Sequence, residues 1–322
     1  MTVRFGIIGA GQAGAHHARG VLANPRAAVT WVADPLRGPG EALAAQCGAR
    51  YFADYRQGLG DADAVSICVP HAALAEAAVT CAGAGVHVLL EKPMALTLED
   101  ADRVLDATRK AGVRLMVGFV HRYRPEAQRA FELITSGSIG EPKFLTDHSF
   151  SGGEASWPAW VQQASAGGGS LLYSGVHRID RARWLLGREV RTVNGSTAAL
   201  LPGSDADSSF TAVMGFEGAG RAAMTHHYHA INIRPVWETI VHGTEGMIRM
   251  LTGEGLEVID RRGSRREAAG PDLRFEEEVN AFLDAVEGKA PVLCTLDEGL
   301  QTLRVNLAAL ASCDDGRWQN IP

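Results

Sequence analysis

The chain has 322 residues, of which 46% are hydrophobic and 21% are charged, and its formal net charge is −6. This length predicts two domains, and the composition is typical of a globular protein with large buried cores. The acidic balance argues against nucleic acid as a partner. No apolar run reaches the roughly eighteen residues of a membrane span, and the N-terminus enters a strand without a basic leader. We therefore expect no membrane partner and a cytoplasmic location.

The first motif is GAGQAG at residues 9–14. It follows an apolar run at residues 3–8 that is typical of a buried parallel strand, and it precedes a helical pattern over residues 13–23. A strand, a glycine turn and a helix in this order are the context that a dinucleotide-binding fingerprint requires.

Each glycine of this motif has a separate expected task. Gly9 permits the tight turn out of the strand, Gly11 lets the backbone approach a pyrophosphate, and Gly14 lets the helix pack closely on the strand. The start of the helix, at Gln12 and Ala13, supplies backbone N–H groups for the phosphates. The motif therefore predicts a dinucleotide cofactor.

Asp34 indicates which dinucleotide is bound. It ends a second apolar run, residues 29–33, and lies twenty residues after Gly14, near the spacing expected of the acid that binds the adenosine ribose. A carboxylate accepts hydrogen bonds from ribose hydroxyls and repels a 2′-phosphate, so NAD is favoured. Arg37 keeps NADP open as the alternative, because a guanidinium binds phosphate or stacks on adenine.

Three further apolar runs, at residues 64–69, 86–90 and 114–118, alternate with helical patterns. This alternation is typical of an open parallel sheet and predicts a Rossmann domain over residues 1–120. Ligands of such sheets bind at the C-terminal ends of the strands.

After residue 120 the pattern changes, and we expect a second α/β domain over residues 121–322. Successive strands broken by turn residues predict a large, open and mostly antiparallel sheet. An open sheet needs a cover on each face, and a second subunit would supply one, so oligomerisation is expected. The predicted elements are a helix at 125–134, a strand at 143–150, a helix at 176–186, strands within 190–259, and helices at 275–286 and 296–312.

No metal site is expected. The five cysteines are widely spaced and contain no CxxC pair, so they predict neither a disulfide framework nor a zinc site. In the sequence His226-His227-Tyr228-His229, strand alternation places His227 and His229 on one face and the other two residues on the opposite face. Tyr228 or a histidine of this strand would then face substrate hydroxyls.

An arginine-rich segment surrounds Gly263. We expect a solvated hairpin loop there, and phosphate binding is the alternative. The arginines are Arg261, Arg262, Arg265 and Arg266.

Lys92 is the first candidate catalytic residue. The Glu91-Lys92-Pro93 tripeptide follows the apolar run at residues 86–90, and Pro93 fixes the chain as it leaves the sheet. Both charged side chains then point toward the cofactor crevice. A lysine there donates to a substrate oxygen and passes a proton if burial lowers its pKa. The alternative is a lysine paired with an acid at a domain edge.

His177 is the second candidate. The sequence GGGSLLYSGVHRID, residues 167–180, predicts a glycine loop followed by a helix that carries His177 and Asp180 on one face. Histidine is the natural general base near neutral pH, and a carboxylate one turn away stabilises its charged form. The alternative is a His–Asp pair on a helix surface.

The chain resembles the family of glucose-fructose oxidoreductase, inositol dehydrogenase and rhizopine-catabolism proteins, which are NAD(P)-dependent oxidoreductases. The resemblance spans nearly the whole chain. It is carried by GAGQAG, Asp34, Pro70, Glu91-Lys92-Pro93, Gly118-Phe119, Arg122-Tyr123, Gly140, Gly175-Val176-His177, Asp180 and Trp184-Leu185.

The resemblance implies a Rossmann domain joined to an α/β domain whose open sheet mediates dimers or tetramers. It places Lys92 beside the nicotinamide and gives His177 the role of acid and base. Arg122 and Tyr123 would shape the substrate cleft.

The chain departs from this family in two places. Many relatives carry an aspartate four residues before the histidine, where this chain has Tyr173; its hydroxyl would bind substrate or His177, or its ring would pack. After the fourth strand, relatives often read Pro-Asn with a histidine two residues later, and this chain reads Pro70-His71. We expect cofactor contacts from Pro70 and His71.

Trp157 and Trp160 lie near two glycine loops, at Gly152-Gly153 and residues 167–169. They would form an aromatic wall over the nicotinamide or a sugar, or pack in the core. His16 and His17, in the first helix, are expected to pack rather than bind.

Together these residues predict an NAD(P)-dependent oxidoreductase that moves hydride between nicotinamide and a secondary hydroxyl or ketone of a sugar, cyclitol or related polyol. Lys92 polarises the oxygen and His177 exchanges its proton. The alternatives are a keto-sugar reductase of a biosynthetic pathway and a non-catalytic dinucleotide sensor.

Overall fold

The computed structural model describes residues 2–152 and 157–322. The chain divides into two compact units. The first comprises the chain up to Val120 together with Leu273–Leu300, and the second comprises His121–Asp272 and Gln301–Pro322. The sequence-based division into 1–120 and 121–322 differs from this, because the segment Leu273–Leu300 packs in the first unit.

The helices lie close to their predicted positions. The longest helix of the second half extends three residues beyond its predicted end at residue 312. In chain order, the helices are α1 Gln12–Leu22, α2 Arg37–Cys47, α3 His71–Gly83, α4 Leu98–Ala111, α5 Pro125–Thr135, α6 Val176–Leu186, α7 Arg274–Val286 and α8 Leu296–Asp315.

The first unit contains a parallel sheet with the strand order β3-β2-β1-β4-β5-β6. This order confirms the predicted Rossmann sheet. The order reverses between β1 and β4, and ligands of such sheets bind beside that point, at the C-terminal strand ends. The strands are β1 Val3–Ile8, β2 Ala27–Ala33, β3 Arg50–Phe52, β4 Ala64–Ile67, β5 His87–Glu91 and β6 Leu115–Gly118.

The second unit contains a sheet with nine strands among the described residues, in the order β14-β13-β12-β11-β7-β10-β9-β8-β15. The pairs are antiparallel except for β10 with β7, which confirms the predicted mostly antiparallel sheet. The strands are β7 Pro142–Gly152, β8 Val190–Ala198, β9 Ser209–Phe216, β10 Arg221–His229, β11 Val236–Gly243, β12 Gly246–Leu251, β13 Gly255–Asp260, β14 Gly263–Ala268 and β15 Gln319–Asn320.

One face of this second sheet forms the core of its unit. Apolar residues of α5, α6 and α8 pack against alternate strand residues such as Leu145 and Met214. The neighbouring residues on the other face include Phe144 and Val213, which are 38% and 44% exposed. Successive strand residues point to opposite faces. Among the described residues, the helices of the second unit therefore cover one face of the sheet.

The arginine-rich segment is only partly a loop. Arg265 and Arg266 lie in strand β14, so the prediction that both belong to the hairpin loop is wrong. Arg265 pairs with Asp260 at 2.9 Å, and Arg266 with Glu257 at 3.5 Å. Cross-strand pairing explains this position, because each arginine meets a carboxylate of strand β13 in the same hairpin.

Helix α7 joins the first unit by packing on α1. The Phe282 ring meets the Phe5 ring edge-on, with centroids 5.9 Å apart. Gly20 of α1 faces the Phe275 backbone so closely that a Cβ would lie 2.7 Å from its carbonyl oxygen. Arg26 then binds Asp284 at 2.6 Å. Residues about 260 positions apart in sequence thus close one core.

The same packing buries Glu278. Its side chain is 0% exposed, and neither of its oxygens has a hydrogen-bond partner among the residues that the structure describes. The His17 Nε2 atom lies 3.9 Å from Glu278 Oε2. Burial, together with the nearby Glu91 carboxylate, raises the pKa of Glu278 well above its usual value. The buried site therefore favours the protonated, uncharged form of Glu278.

The charge state of Glu278 predicts a pH-dependent effect of the E278Q variant on stability. The unfolded chain releases this proton above pH ~4.3 whereas the folded protein retains it, so wild-type stability falls as the pH rises toward the folded-state pKa. Glutamine has nearly the same shape and no proton to lose. We expect the E278Q Tm to match the wild-type Tm near pH 4 and to exceed it at pH 8 by at least about 2–4 °C.

The exposed neighbour Glu277 provides a matched control on the same helix. E277Q is expected to follow the wild-type dependence of Tm on pH. A Tm difference between E278Q and the wild type that is equal at both pH values would show that Glu278 is ionised in the folded protein.

Candidate active site

The glycine turn of the first unit has the geometry that the motif predicts. Gly9 has a φ of +96°, and a Cβ at this position would lie 2.4 Å from the Cys68 carbonyl oxygen. A Cβ at Gly14 would lie 1.9 Å from the Gly9 carbonyl oxygen. Both positions therefore require glycine, the first for its backbone conformation and the second for close packing.

Gly11 differs from these two glycines, because no described atom lies within 4 Å of a Cβ built on it. It is the N-cap residue of α1 and makes no side-chain cap. The first N–H groups of a helix have no partner within the helix, and those of Gln12 and Ala13 belong to this set. With open space at Gly11 and these donors beside it, the turn fits a dinucleotide pyrophosphate.

Asp34 follows strand β2 beside this turn. One carboxylate oxygen accepts from the Ala10 N–H and the other from the Leu36 N–H, each at 2.7 Å. The carboxylate is thereby fixed at the strand end, where the Rossmann fold places the ribose. Arg37 is exposed and binds Glu41 one turn along α2 at 2.9 Å. Contacts of Asp34 and Arg37 with a cofactor stay predictions.

Pro70 and His71 lie at the C-terminal end of strand β4, which is next to β1 in the sheet. Pro70 is the N-cap of α3, and His71 begins that helix and is only 3% exposed. Both residues follow strand β4, which lies at the point where the strand order reverses. Their predicted cofactor contacts are consistent with this position and stay predictions.

Lys92 directly follows strand β5 and is only 9% exposed. Its peptide bond to Pro93 is cis. Glu91, the last residue of the strand, accepts the Lys92 backbone N–H at 3.1 Å through one oxygen and contacts His17 Nε2 at 3.0 Å through the other. Ser66 Oγ lies 2.8 Å from the second ring nitrogen of His17.

These contacts decide the charges around Lys92. Burial lowers the pKa of Lys92, and the Glu91 charge opposes this shift. Burial disfavours the Glu91 carboxylate, but the hydrogen bond to His17 and the charge of Lys92 outweigh it and leave the pKa of Glu91 below its usual value. Glu91 is therefore an anion next to Lys92, and the Lys92 ammonium loses its proton more easily than an ordinary lysine does.

The sequence predicts that His17 packs, and its complete burial confirms this. Its hydrogen bonds to Glu91 and Ser66 were not predicted. Their partners are 74 and 49 residues away, and no local pattern identifies such contacts. Position alone offers a signal, since His17 follows the last motif glycine by one helical turn.

In the second unit His177 lies in the first turn of α6 and is 9% exposed. A π-helical turn, Leu171–Gly175, precedes α6 and carries Tyr173. Partly buried Asp207 fixes the start of this turn, because its carboxylate accepts from Ser170 Oγ at 2.6 Å and from the Leu171 N–H at 2.9 Å. Single π-turns of this kind are frequent at functional sites.

Asp180 binds Arg122 through both of its oxygens, at 2.8 and 2.6 Å. Both side chains are buried, and the Arg122 guanidinium lies 5.7 Å from the Trp184 ring centroid. A bidentate pair of this kind is strong and directional. The structure thus pairs Asp180 with Arg122; the predicted effect of Asp180 on His177, and substrate contacts of Arg122 and buried Tyr123, stay predictions.

His121 is a site residue that the sequence interpretation missed. Its ring meets the His177 ring edge-on with centroids 4.4 Å apart, and the Trp237 ring at 4.7 Å. Arg124 Nε donates to His121 Nδ1 at 2.9 Å. Burial, then the neighbouring His177 and the arginines, hold the pKa of His121 well below its usual value. Its place directly before Arg122-Tyr123 was the available signal.

A layer of arginines supports these rings from α6. The guanidinium groups of Arg178 and Arg181 lie 4.4 and 3.7 Å from the Trp237 ring centroid. Asp147 accepts from Trp237 Nε1 at 2.7 Å and pairs with Arg178 at 3.2 Å. Burial lowers the pKa of each of these arginines to about 10, so both remain charged at neutral pH.

Four aromatic side chains form a cluster in the same unit. The Trp157 ring stacks on Tyr228 with centroids 4.1 Å apart, and Trp157 and Trp160 meet Tyr173 edge-on at 5.9 and 5.8 Å. Trp157 and Trp160 are only partly buried, and their predicted contacts with a nicotinamide or a sugar stay predictions. Gly153, in one of the two predicted glycine loops, lies outside the described residues.

The histidine-rich strand β10 alternates as predicted. His226 and Tyr228 are each 4% exposed, whereas His227 and His229 point to the other face. His226 contacts Ser149 Oγ at 2.8 Å, and burial lowers its pKa to about 2. Within the ranges 2–152 and 157–322, no group of three or more candidate ligands is arranged to hold a metal ion. No helix within those ranges is long and apolar enough to cross a membrane.

Comparison with known proteins gives matches over nearly the whole chain. Residues 3–119 match the model of an oxidoreductase family with an NAD-binding Rossmann fold, and residues 131–321 match the C-terminal α/β domain of the same family. An inositol 2-dehydrogenase of Rhizobium meliloti is 29% identical, with 100% of each chain covered. A scyllo-inositol 2-dehydrogenase (NAD⁺) of Bacillus subtilis is also 29% identical, over 98% of this chain and 95% of the relative.

Solved structures have the same fold. A levoglucosan dehydrogenase in complex with NADH superposes with a TM-score of 0.92 at 24% identity, covering 100% of both chains. An oxidoreductase from Agrobacterium radiobacter, solved with NAD⁺, L-tartaric acid and magnesium, has a TM-score of 0.91 at 21% identity over 100% of this chain and 99% of that one. The two family models cover most of the sequence, and the chain therefore belongs to the glucose-fructose oxidoreductase, inositol dehydrogenase and rhizopine-catabolism family of NAD-binding oxidoreductases.

Proposed function

We propose that the protein interconverts a secondary hydroxyl and a ketone on a sugar, cyclitol or related polyol, with NAD as the hydride carrier. The proposal rests on the environment of Lys92. This lysine is buried at the end of strand β5, has a lowered pKa and lies next to the Glu91 anion. NAD supplies the hydride chemistry when bound. The inositol dehydrogenases among the relatives support a polyol substrate.

In this mechanism the Lys92 ammonium donates a hydrogen bond to the reacting oxygen. It stabilises the negative charge that develops on that oxygen as hydride moves. His177 accepts the hydroxyl proton during oxidation and returns it during reduction. Arg122 holds Asp180 on the same helix face as His177. Tyr173 has a hydroxyl where relatives often have a carboxylate, so it adds no charge to this step.

The same residues serve reduction of a keto-sugar, which is the reverse reaction. A non-catalytic dinucleotide sensor would need the glycine turn and Asp34 but would have no use for a buried lysine. The lowered pKa of Lys92 at a strand end of the Rossmann sheet favours an enzyme over a sensor, because perturbed pKa values are concentrated at catalytic sites.

The K92A variant tests the role of the Lys92 side chain. We expect kcat with a polyol that the wild type oxidises to fall by about 10²-fold or more, since removing a positioned proton donor has an effect of this order. NADH binding, measured by fluorescence titration, should change little. K110A, at the exposed end of α4, is the matched control and should keep wild-type kcat.

Retention of full activity in K92A would contradict the mechanism. Tight NADH binding without turnover of any polyol or keto-sugar by the wild type would instead favour the sensor.

The pH dependence of kcat/KM tests whether Lys92 is the titrating donor. The Glu91 charge raises the pKa of Lys92, so E91Q should lower it further, while the amide oxygen still accepts from His17. Because Lys92 acts in its protonated form, the alkaline limb of kcat/KM should move to lower pH by roughly one pH unit or more. A limb that stays in place, measured with Tm and NADH affinity unchanged, would exclude Lys92 as the titrating donor.

The G11A variant tests whether the glycine turn binds the pyrophosphate. A methyl group at Gly11 meets no described atom, so G11A should fold normally, yet it occupies space that a pyrophosphate requires. We expect the Kd for NADH to rise at least tenfold with little change in Tm. G83A is the control, because Gly83 also has open space around a Cβ but lies at the end of α3. Equal NADH affinity in both variants would place the pyrophosphate elsewhere.

A further inference from the structure

We propose that His121 is a fixed hydrogen-bond donor to the substrate, acting through Nε2–H on a hydroxyl oxygen next to the carbinol that His177 deprotonates. This inference rests on the proposed function and deepens it, because it specifies a substrate with a vicinal hydroxyl. It is carried by the contacts of His121 with Arg124, His177 and Trp237 in the second unit.

Arg124 fixes the tautomer of His121. The contact joins Arg124 Nε to His121 Nδ1 at 2.9 Å. A guanidinium has five N–H donors and no acceptor, so Nδ1 must accept. In a neutral imidazole the proton then resides on Nε2. His121 thus presents a donor, and only a donor, at its free nitrogen.

The surroundings keep His121 neutral. His177 lies against it, and Arg124, Arg178 and Arg181 add positive charge nearby. The facing carboxylates are occupied: Asp147 pairs with Arg178 at 3.2 Å, and Glu126 and Asp272 lie 3.7 and 3.4 Å from Arg124. A second imidazolium beside His177 is therefore disfavoured, and His121 does not compete with His177 for the transferred proton.

Packing holds the His121 ring in one orientation. The Trp237 ring lies against the His121 ring, with centroids 4.7 Å apart. The Arg181 guanidinium in turn lies 3.7 Å from the Trp237 ring centroid. The supporting arginines are 3% and 2% exposed, whereas His121 itself remains partly exposed. No residue that the structure describes engages His121 Nε2 in a hydrogen bond. His121 is thus an oriented donor in a partly exposed residue beside His177, which suits recognition of a second oxygen on the reacting molecule.

This arrangement selects for chemistry that cyclic polyols and sugars provide. Their reacting carbinol carries a hydroxyl on the neighbouring carbon, and that oxygen accepts a hydrogen bond from a neutral donor. A substrate without the vicinal hydroxyl leaves the donor unpaired when the site closes to water, which lowers the rate for that substrate.

Two variants separate a donor from a packing residue. H121Q places an amide N–H near the position of Nε2 without an aromatic ring, and H121F keeps a ring without any donor. With a vicinal-diol substrate, we expect H121F to lose about 10–100-fold in kcat/KM and H121Q to stay within about fivefold of the wild type. Tm and NADH affinity of both variants verify the fold.

The same variants are assayed with the matching deoxy substrate, which lacks the vicinal hydroxyl. We expect the wild type to lose about as much on this substrate as H121F loses on the diol. The two losses should not multiply when H121F acts on the deoxy substrate, because both remove the same contact.

Multiplying losses, or an H121F variant as active as the wild type, would overturn the donor role. Loss of a pH limb in H121Q would also overturn it, since it would make His121 the acid or base. These failures are distinct from failure of the proposed function, in which no vicinal diol shows turnover that depends on Lys92. That last outcome would overturn both.

Discussion

The first unit of this protein depends on the interactions that one carboxylate, Glu91, makes with its neighbours. It ends a buried strand, accepts the Lys92 backbone N–H, contacts His17 of α1, and is the anion that makes a buried Lys92 tolerable. A lone buried lysine would shed its proton, and a lone buried glutamate would take one up. His17 lies on α1, the helix that begins at the glycine turn. The hydrogen bond between His17 and Glu91 therefore links this helix to the strand end that precedes the candidate catalytic lysine.

The second unit is built on a different principle. Its rings and guanidinium groups are layered, with Arg178 and Arg181 on Trp237 and Trp237 on His121, which meets His177. Each layer is positively charged or neutral, and Asp147 and Asp180 provide the buried anions. In the proposed mechanism His177 is the base, and the lowered pKa of the neighbouring His121 keeps that ring from taking the proton. Lys92 lies in the first unit and His177 in the second, and the proposed polyol oxidation uses the lysine to polarise the oxygen and the histidine to accept the proton.

The sequence predicted what local patterns determine. Apolar periodicity and the glycine motif were sufficient for the Rossmann sheet and the turn at Gly9, because these depend on neighbouring residues. The return of α7 to the first unit was missed, since its contacts with α1 join residues about 260 positions apart. Glu278 and His121 were missed for the same reason. Asp180 also binds Arg122, a contact that the helical spacing of His177 and Asp180 does not reveal.

The most direct test of the account is transfer of an isotopic label. A polyol carrying deuterium on the reacting carbinol carbon is incubated with NAD⁺ and the wild-type protein, and the recovered cofactor is examined by NMR. The account predicts deuterium at nicotinamide C4 of the reduced cofactor, in a yield that falls sharply in K92A. Tight NADH binding with no label transfer from any inositol, sugar or glycoside would contradict it and leave a dinucleotide-binding protein without this chemistry.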